Sequence, residues 1–126
     1  MLEVKPNTDI KLLAGYCKKC DPPKAPGPQH YLYLATDKSR LLAAGLFEIS
    51  PSRVDVLLYE ADEFDAHLLD AVLRAGLNYA AGHGITIGCL SEEFKQLHSA
   101  LFAQLNYPIQ SEFGITNFFA KYKNCR

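Results

Sequence analysis

The sequence predicts a mixed α/β sheet with helices on both faces. Three observations carry that expectation. Apolar runs of strand length follow one another from Tyr31 to Glu60. The apolar period then lengthens to that of a helix between Asp65 and Ala81. A short apolar run, Ile85–Leu90, returns before a second helical stretch. The length of 126 residues is that of one domain over 1–126. A chain of this size buries about two-thirds of its unfolded surface, so no metal or disulfide staple is needed. Apolar residues make up 48% and charged residues 21%, an ordinary globular balance that excludes a disordered tail. Thirteen basic and fourteen acidic residues give a net charge of −1, which offers no basic face for nucleic acid.

The elements follow in order. Leu2–Lys5 alternates apolar and charged residues as a short strand, with Pro6 as its expected end. Asn7 or Thr8 can cap a helix through about Tyr16, with Ile10, Leu13 and Ala14 on one face. Asp21–Gln29 holds Pro22, Pro23, Pro26 and Pro28 and reads as a stiff loop. Three strands follow, Tyr31–Thr36, Leu41–Ile49 and Val54–Glu60. The last two are joined by Ser50-Pro51-Ser52-Arg53, which fits a type I turn. A tight turn there sets Ile49 opposite Val54, Phe47 opposite Val56 and Leu46 opposite Leu57. Both faces of this hairpin are apolar, so it belongs in mid-sheet.

Asp65–Ala81 is the first long helix, with Leu68, Val72, Ala75 and Tyr79 at helical spacing and Asp62 as its expected N-cap. Gly82-His83-Gly84 stops it. Ile85–Leu90 is a buried strand, parallel to Val54–Glu60 because a helix joins them. Ser91 caps a helix to Leu105 with Phe94, Leu97, Leu101 and Leu105 on one face. Phe113–Tyr122 is a final strand, and Ile109–Gln110 a candidate for part of another.

This order resembles the GNAT superfamily of N-acetyltransferases. Leu101-Phe102-Ala103-Gln104-Leu105-Asn106-Tyr107 is similar to the family's "lYxxlGF" signature, and Leu42-Ala43-Ala44-Gly45-Leu46-Phe47 to its glycine-bearing apolar strand. The likeness covers about Tyr31–Tyr122. It implies a GNAT-like acyltransferase fold that lacks the usual second N-terminal helix, the proline loop standing in its place.

The departures bear on function. The family's loop after the third strand of that run carries glycines and a basic residue that cradle the acetyl-CoA diphosphate at a helix N-terminus. Here the stretch is Tyr59-Glu60-Ala61-Asp62-Glu63-Phe64-Asp65-Ala66, with four carboxylates and neither glycine nor base. At ~5–8 Å and an effective dielectric of ~20, each carboxylate repels a phosphate by on the order of 2–3 kcal/mol before screening. Phe102 falls where the family commonly has a tyrosine that protonates the leaving thiolate, and Lys95 where many members have a cofactor-contacting asparagine. The resemblance offers Glu60 as a candidate catalytic base. It places a vestigial cofactor cleft at Tyr59, Glu60, Cys89 and Phe102. Glu48, the other strand carboxylate, is expected opposite Asp55 near the hairpin turn.

Outside that frame, Cys17-Lys18-Lys19-Cys20 is a lone CxxC whose lysines would favour thiolates. With His30, and Cys89 or Cys125 as a fourth, it could ligate zinc; the second close ligand pair of a structural site is missing. The plainer expectation is unremarkable thiols. His98 lies on the apolar face of the second long helix, half-buried, and His67 and His83 flank the first.

The expected function is a non-catalytic binding or interaction module with a degenerate acetyl-CoA site. A divergent N-acyltransferase using acetyl-CoA or another acyl donor is the alternative. A metal or thiol-redox role through Cys17 and Cys20 is the third. No cofactor is expected, with acetyl-CoA as the alternative. The partner is a small molecule or a protein, a second copy included, and neither nucleic acid nor membrane. Without a run of ~18 apolar residues or a signal core in Met1–Ile10, the expected location is cytoplasmic, with reduced cysteines. The cleft itself is expected to be small and apolar, lined in part by Tyr59 and Phe102. An open, polar groove with Phe102 turned into the core would favour the acyltransferase instead.

Overall fold

The computed structural model describes residues 2–105 and 110–116. Six strands form one sheet in sequence order: β1 Leu2–Asn7, β2 His30–Asp37, β3 Arg40–Ile49, β4 Val54–Ala61, β5 Ile87–Leu90 and β6 Glu112–Gly114. Neighbours are antiparallel except β4 and β5, which are parallel as the intervening helix requires. Four helices complete the order: α1 Ile10–Lys18, α2 Ala66–Gly82, α3 Glu92–Leu97 and α4 Ser99–Leu105. No helix of the described residues is long and apolar enough to cross a membrane.

Both faces of the central hairpin are covered. On one side α1 seals Tyr16 and Cys17 over Leu32, Ala44 and Leu46. On the other, α2 and α4 pack Leu69, Val72, Leu73, Leu77, Leu101 and Phe102 over Phe47, Val54 and Val56. Gly76 makes the α2 contact possible, because a Cβ there would lie 2.0 Å from the Phe47 ring. Tyr31 fixes the same contact by donating its hydroxyl to the Gly76 carbonyl at 2.7 Å.

Several elements differ from the sequence expectation. β1 runs through Pro6, which pairs with Tyr33. This is an edge strand, where a missing N–H is tolerated. Asp9 rather than Asn7 or Thr8 caps α1, its carboxylate accepting from Lys11 and Leu12. The buried face of α1 starts at Leu12 and Leu13 and centres on Tyr16 and Cys17, and Ile10 is 75% exposed. Asp65, not Asp62, caps α2. The inward face of α2 centres on Leu69, Leu73 and Gly76, so Tyr79 lies on its outer edge. β5 starts at Ile87, two residues later than the apolar run. The expected helix from Ser91 to Leu105 breaks at His98, whose φ of −111° and ψ of 18° leave the helical region and turn Leu97 outward. Of the expected strand Phe113–Tyr122, only the start falls within the Glu112–Gly114 strand. Ile115 and Thr116 leave it, and the remainder lies outside the described residues, as do Ile109 and the Asn106-Tyr107 end of the signature.

Register follows the tight turn for Ile49–Val54 and Phe47–Val56, but Leu46 faces Leu58. Leu57 is the extra residue of a β-bulge. Beside it β5 departs: the β4–β5 pairing ends at Val56–Leu90, and Ser91 starts α3. A bulge bends its strand, and here the bend falls where the two strands part.

Candidate functional site

Among the described residues no strand lies beside the β4 edge beyond Val56, and a groove of about 340 Å³ opens there. Its floor is β4 from Asp55 to Tyr59. Lys19, Cys20, Asp21, Pro22 and Lys24 form one wall, and Cys89, Ser91, Glu93, Phe94, Leu97 and His98 the other. The loop after α1 closes the first wall because Lys24 donates its N–H to the Cys17 carbonyl at 2.9 Å.

The charges around the groove are mostly matched. Lys19 holds both Glu60 oxygens, at 2.8 and 3.1 Å. Lys24 lies 3.6 Å from Glu48, which pairs with Asp55 in the sheet, as expected. Arg53 lies 3.3 Å from Asp55. Glu60 itself stands beside the groove rather than in its lining, bound to a lysine that does line it.

Among the described residues, two groove-lining side chains carry a buried polar atom without a hydrogen-bond partner, the Tyr59 hydroxyl and His98 Nε2. The two rings meet edge to face, with centroids 5.4 Å apart. Burial raises the Tyr59 phenol above its ordinary range and lowers the His98 imidazole below its usual value, so both are neutral at pH 7. Leaving such an atom unpaired costs about 1–3 kcal/mol. This pair was not legible in the sequence, since period-2 and period-3.6 patterns place each residue on its own element and say nothing of a meeting between elements.

Phe102 is not part of the lining. It is 1% exposed and packs in the core beside Phe94, with ring centroids 6.1 Å apart. The expectation of a small apolar cleft lined by Phe102 is therefore corrected: the groove is open, carries charged walls, and Phe102 faces away from it. Helix α4 follows the break at His98, and that break sets the direction of Phe102. Tyr59 and Cys89 do line the groove. Lys95 is buried and tied down, its Nζ donating to Ser111 Oγ at 2.9 Å and lying 2.8 Å from Glu92.

The N-terminus of α2 is arranged differently. Asp65 Oδ1 accepts from the N–H groups of His67 and Leu68, at 2.9 and 3.3 Å. Glu63 lies 3.9 Å from Arg40, and a second pocket of about 230 Å³ is rimmed by Asp62, Glu63 and Asp65 over Leu42 and Leu68. The donors that would meet a diphosphate are already used by a carboxylate, and three acids surround them. These residues do not fit that end of acetyl-CoA.

Among the described residues the CxxC has no further metal-ligating side chains grouped with it, and burial works against its reactivity. Cys17 is 0% exposed and serves as a small apolar core residue, and burial raises both the Cys17 and Cys20 thiols. This overturns the thiolate expectation from Lys18 and Lys19, since Lys19 points to Glu60. His30 is turned elsewhere: its Nδ1 accepts the Gly27 N–H at 3.0 Å, and its Nε2 lies 3.7 Å from Glu48, too long for a hydrogen bond. Among the described residues no group of three His, Cys, Asp or Glu side chains could hold a metal ion. Cys125 lies outside them.

Comparison with solved structures decides the fold. The chain superposes on the ribosomal-protein-S18-alanine N-acetyltransferase of Escherichia coli with a TM-score of 0.62 at 14% identity, covering 86% of this chain and 78% of that one. The chain has a GNAT-like N-acetyltransferase fold. The IAA acetyltransferase of Bacillus cereus gives a TM-score of 0.60 at 13% identity, over 88% of this chain and 79% of that one. The E. coli putative N-acetyl transferase YhhK, solved bound to coenzyme A, gives 0.55 at 19% identity, over 90% and 94%. No family model and no curated protein sequence matches the chain.

Proposed function

We propose that this chain is a divergent acyltransferase that works from the β4–β5 groove with a donor not anchored through a diphosphate at α2. The observation that carries the reading is the groove itself, open over the bulged edge of β4, with Phe102 withdrawn from it. The coenzyme A-bound neighbour of the same fold supports an acyl thioester as the donor class. The carboxylates at α2 argue that the diphosphate contributes nothing to its binding. Glu60 is the carboxylate we assign as general base, held at the groove rim by Lys19. General-base catalysis is worth about 10²–10⁴-fold in rate.

The test is thiol release from acetyl-pantetheine in the presence of a panel of primary amines. The expected result is amine-dependent release that falls about a hundredfold or more in Glu60→Gln. Release that never exceeds the uncatalysed rate contradicts the reading.

A second reading, a non-catalytic ligand-binding module, is favoured by the loss of the proton donor at Phe102 and the filled α2 terminus. Saturable binding of acetyl-pantetheine without any thiol release is its signature.

A further inference from the structure

The proline loop between α1 and β2 turns one edge to the body of the fold and the others to solvent. Residues 23–27 of it belong to no helix, strand or turn. Proline fixes φ at about −65°, which constrains Pro22, Pro23 and Pro26. The residue before a proline is pushed to extended backbone, which adds Ala25 and Gly27. Together these constraints favour polyproline II, a helix with three residues per turn. Burial follows that period: Lys24 and Gly27 are partly buried, whereas Pro22, Pro23, Ala25 and Pro26 are exposed. The inward edge is also tied down. Lys24 donates its N–H to the Cys17 carbonyl at 2.9 Å, and its ammonium lies 3.6 Å from Glu48. Gly27 donates its N–H to His30 Nδ1 at 3.0 Å, and its carbonyl accepts the His30 N–H at 3.0 Å.

We propose that this loop is a docking ridge for a protein module whose groove is lined by aromatic side chains, the kind that binds polyproline II segments. Such a groove takes two of the three edges of the helix and leaves the third to face away. Here Pro22-Pro23 and Ala25-Pro26 are apolar pairs separated by one residue, which sets Pro23 and Pro26 in PxxP spacing. The separating residue, Lys24, lies on the edge that the fold itself holds. Beside the ridge, Pro26 and Pro28 border a hollow of about 390 Å³ with Ile10 and Leu13. Ile10 is 75% exposed there, an apolar side chain that its own fold leaves uncovered. An aromatic ring at the end of the partner's groove finds an apolar seat in that hollow. Because the ridge is already pinned, docking orders little further chain, which lowers the entropic cost of binding.

The inference stands apart from the acyl chemistry of the groove and is tested without it. The ¹⁵N-labelled full chain is titrated in turn with purified SH3, WW and EVH1 domains. The expected result is saturable binding of at least one domain at about 100 μM or tighter, with shifts of the Ile10, Lys24, Ala25 and Gly27 amides. The responding domain tells which type of aromatic groove fits. Pro23→Ala combined with Pro26→Ala should weaken that binding about tenfold or more. Pro51→Ala, at an exposed proline of the β3–β4 turn, should leave it unchanged. Ala25→Glu keeps every proline and the inward hydrogen bonds, and should weaken binding about as much as the double substitution. It separates a spoiled ridge from a loosened loop. No saturable binding by any of the domains overturns the proposal. So does binding that the double substitution and Ala25→Glu both leave unchanged, or binding that shifts only residues away from the loop.

Discussion

The C-terminal end of β4 leads to two neighbouring regions that treat a ligand in opposite ways. At the N-terminus of α2 the backbone donors are consumed within the chain, by Asp65, and the surroundings repel anions. Among the described residues, no strand lies along the lateral edge beyond Val56, and Tyr59 and His98 each have a buried polar atom without a partner. The first region is closed by local chemistry, a cap within three residues of the donors it serves. The second is open because of topology, since β5 ends and a bulge bends β4 away. Different levels of structure thus maintain the two regions, a local cap the first and strand topology the second.

The largest effect expected concerns Phe102, whose placement separates the groove from the core. Phe102→Ala should cost about 3–5 kcal/mol in urea unfolding, as for a fully buried aromatic. Phe102→Tyr should still cost about 1–3 kcal/mol, because the added hydroxyl meets no water and no partner. A tyrosine tolerated without cost would place this side chain in the groove and redraw the boundary between the two regions.

A smaller effect is expected at the closed end. Asp65→Ala should destabilise the fold by about 0.5–2 kcal/mol through loss of the α2 cap. Combined with Asp62→Asn and Glu63→Gln, it should raise affinity for coenzyme A relative to pantetheine about tenfold, as freed N–H groups meet the diphosphate. An unchanged ratio in calorimetry would mean that the carboxylates are not what closes this end.

At the open end His98 provides a titration. Its imidazole is lowered by burial below the ordinary value of about 6.5. Above that value His98 is neutral both folded and unfolded, and its contribution is constant. Below it the unfolded chain takes up a proton that the folded chain refuses, so stability falls with pH until folded His98 also protonates. Denaturant midpoints between pH 7 and pH 5 should decline, and less so in His98→Phe. Equal slopes would remove the buried neutral imidazole from the account.

The smallest effect is expected for Glu60. Its pair with Lys19 is exposed, so Glu60→Gln should leave the unfolding midpoint unchanged. A loss of thiol release with no loss of stability would separate a catalytic carboxylate from a structural one.

Much of the sheet was legible because alternation is a local signal. Phe47 opposite Val56 and Glu48 opposite Asp55 follow from the turn alone. The bulge at Leu57 was not legible, since Leu57 and Leu58 are equally apolar and either fits the face. Asp62 and Asp65 are both suitable caps, and only the packing of Leu68 and Leu69 on the sheet selects Asp65. The position of Leu97 failed for a related reason, because the break at His98 has no glycine or proline to announce it. The acidic character of the α2 end was readable at once, because it lies in consecutive residues. The open groove was not, because its lining comes from the loop after α1, β4, β5 and α3.

The central claim is that the groove binds while the α2 end does not anchor a diphosphate. Calorimetric titration of the full chain with acetyl-CoA and with acetyl-pantetheine compares the two ends directly. The account predicts that acetyl-CoA binds no more tightly than acetyl-pantetheine, since the diphosphate adds no favourable contact and meets carboxylates. Acetyl-CoA binding at about 10 μM or tighter, and at least about tenfold tighter than acetyl-pantetheine, would contradict it.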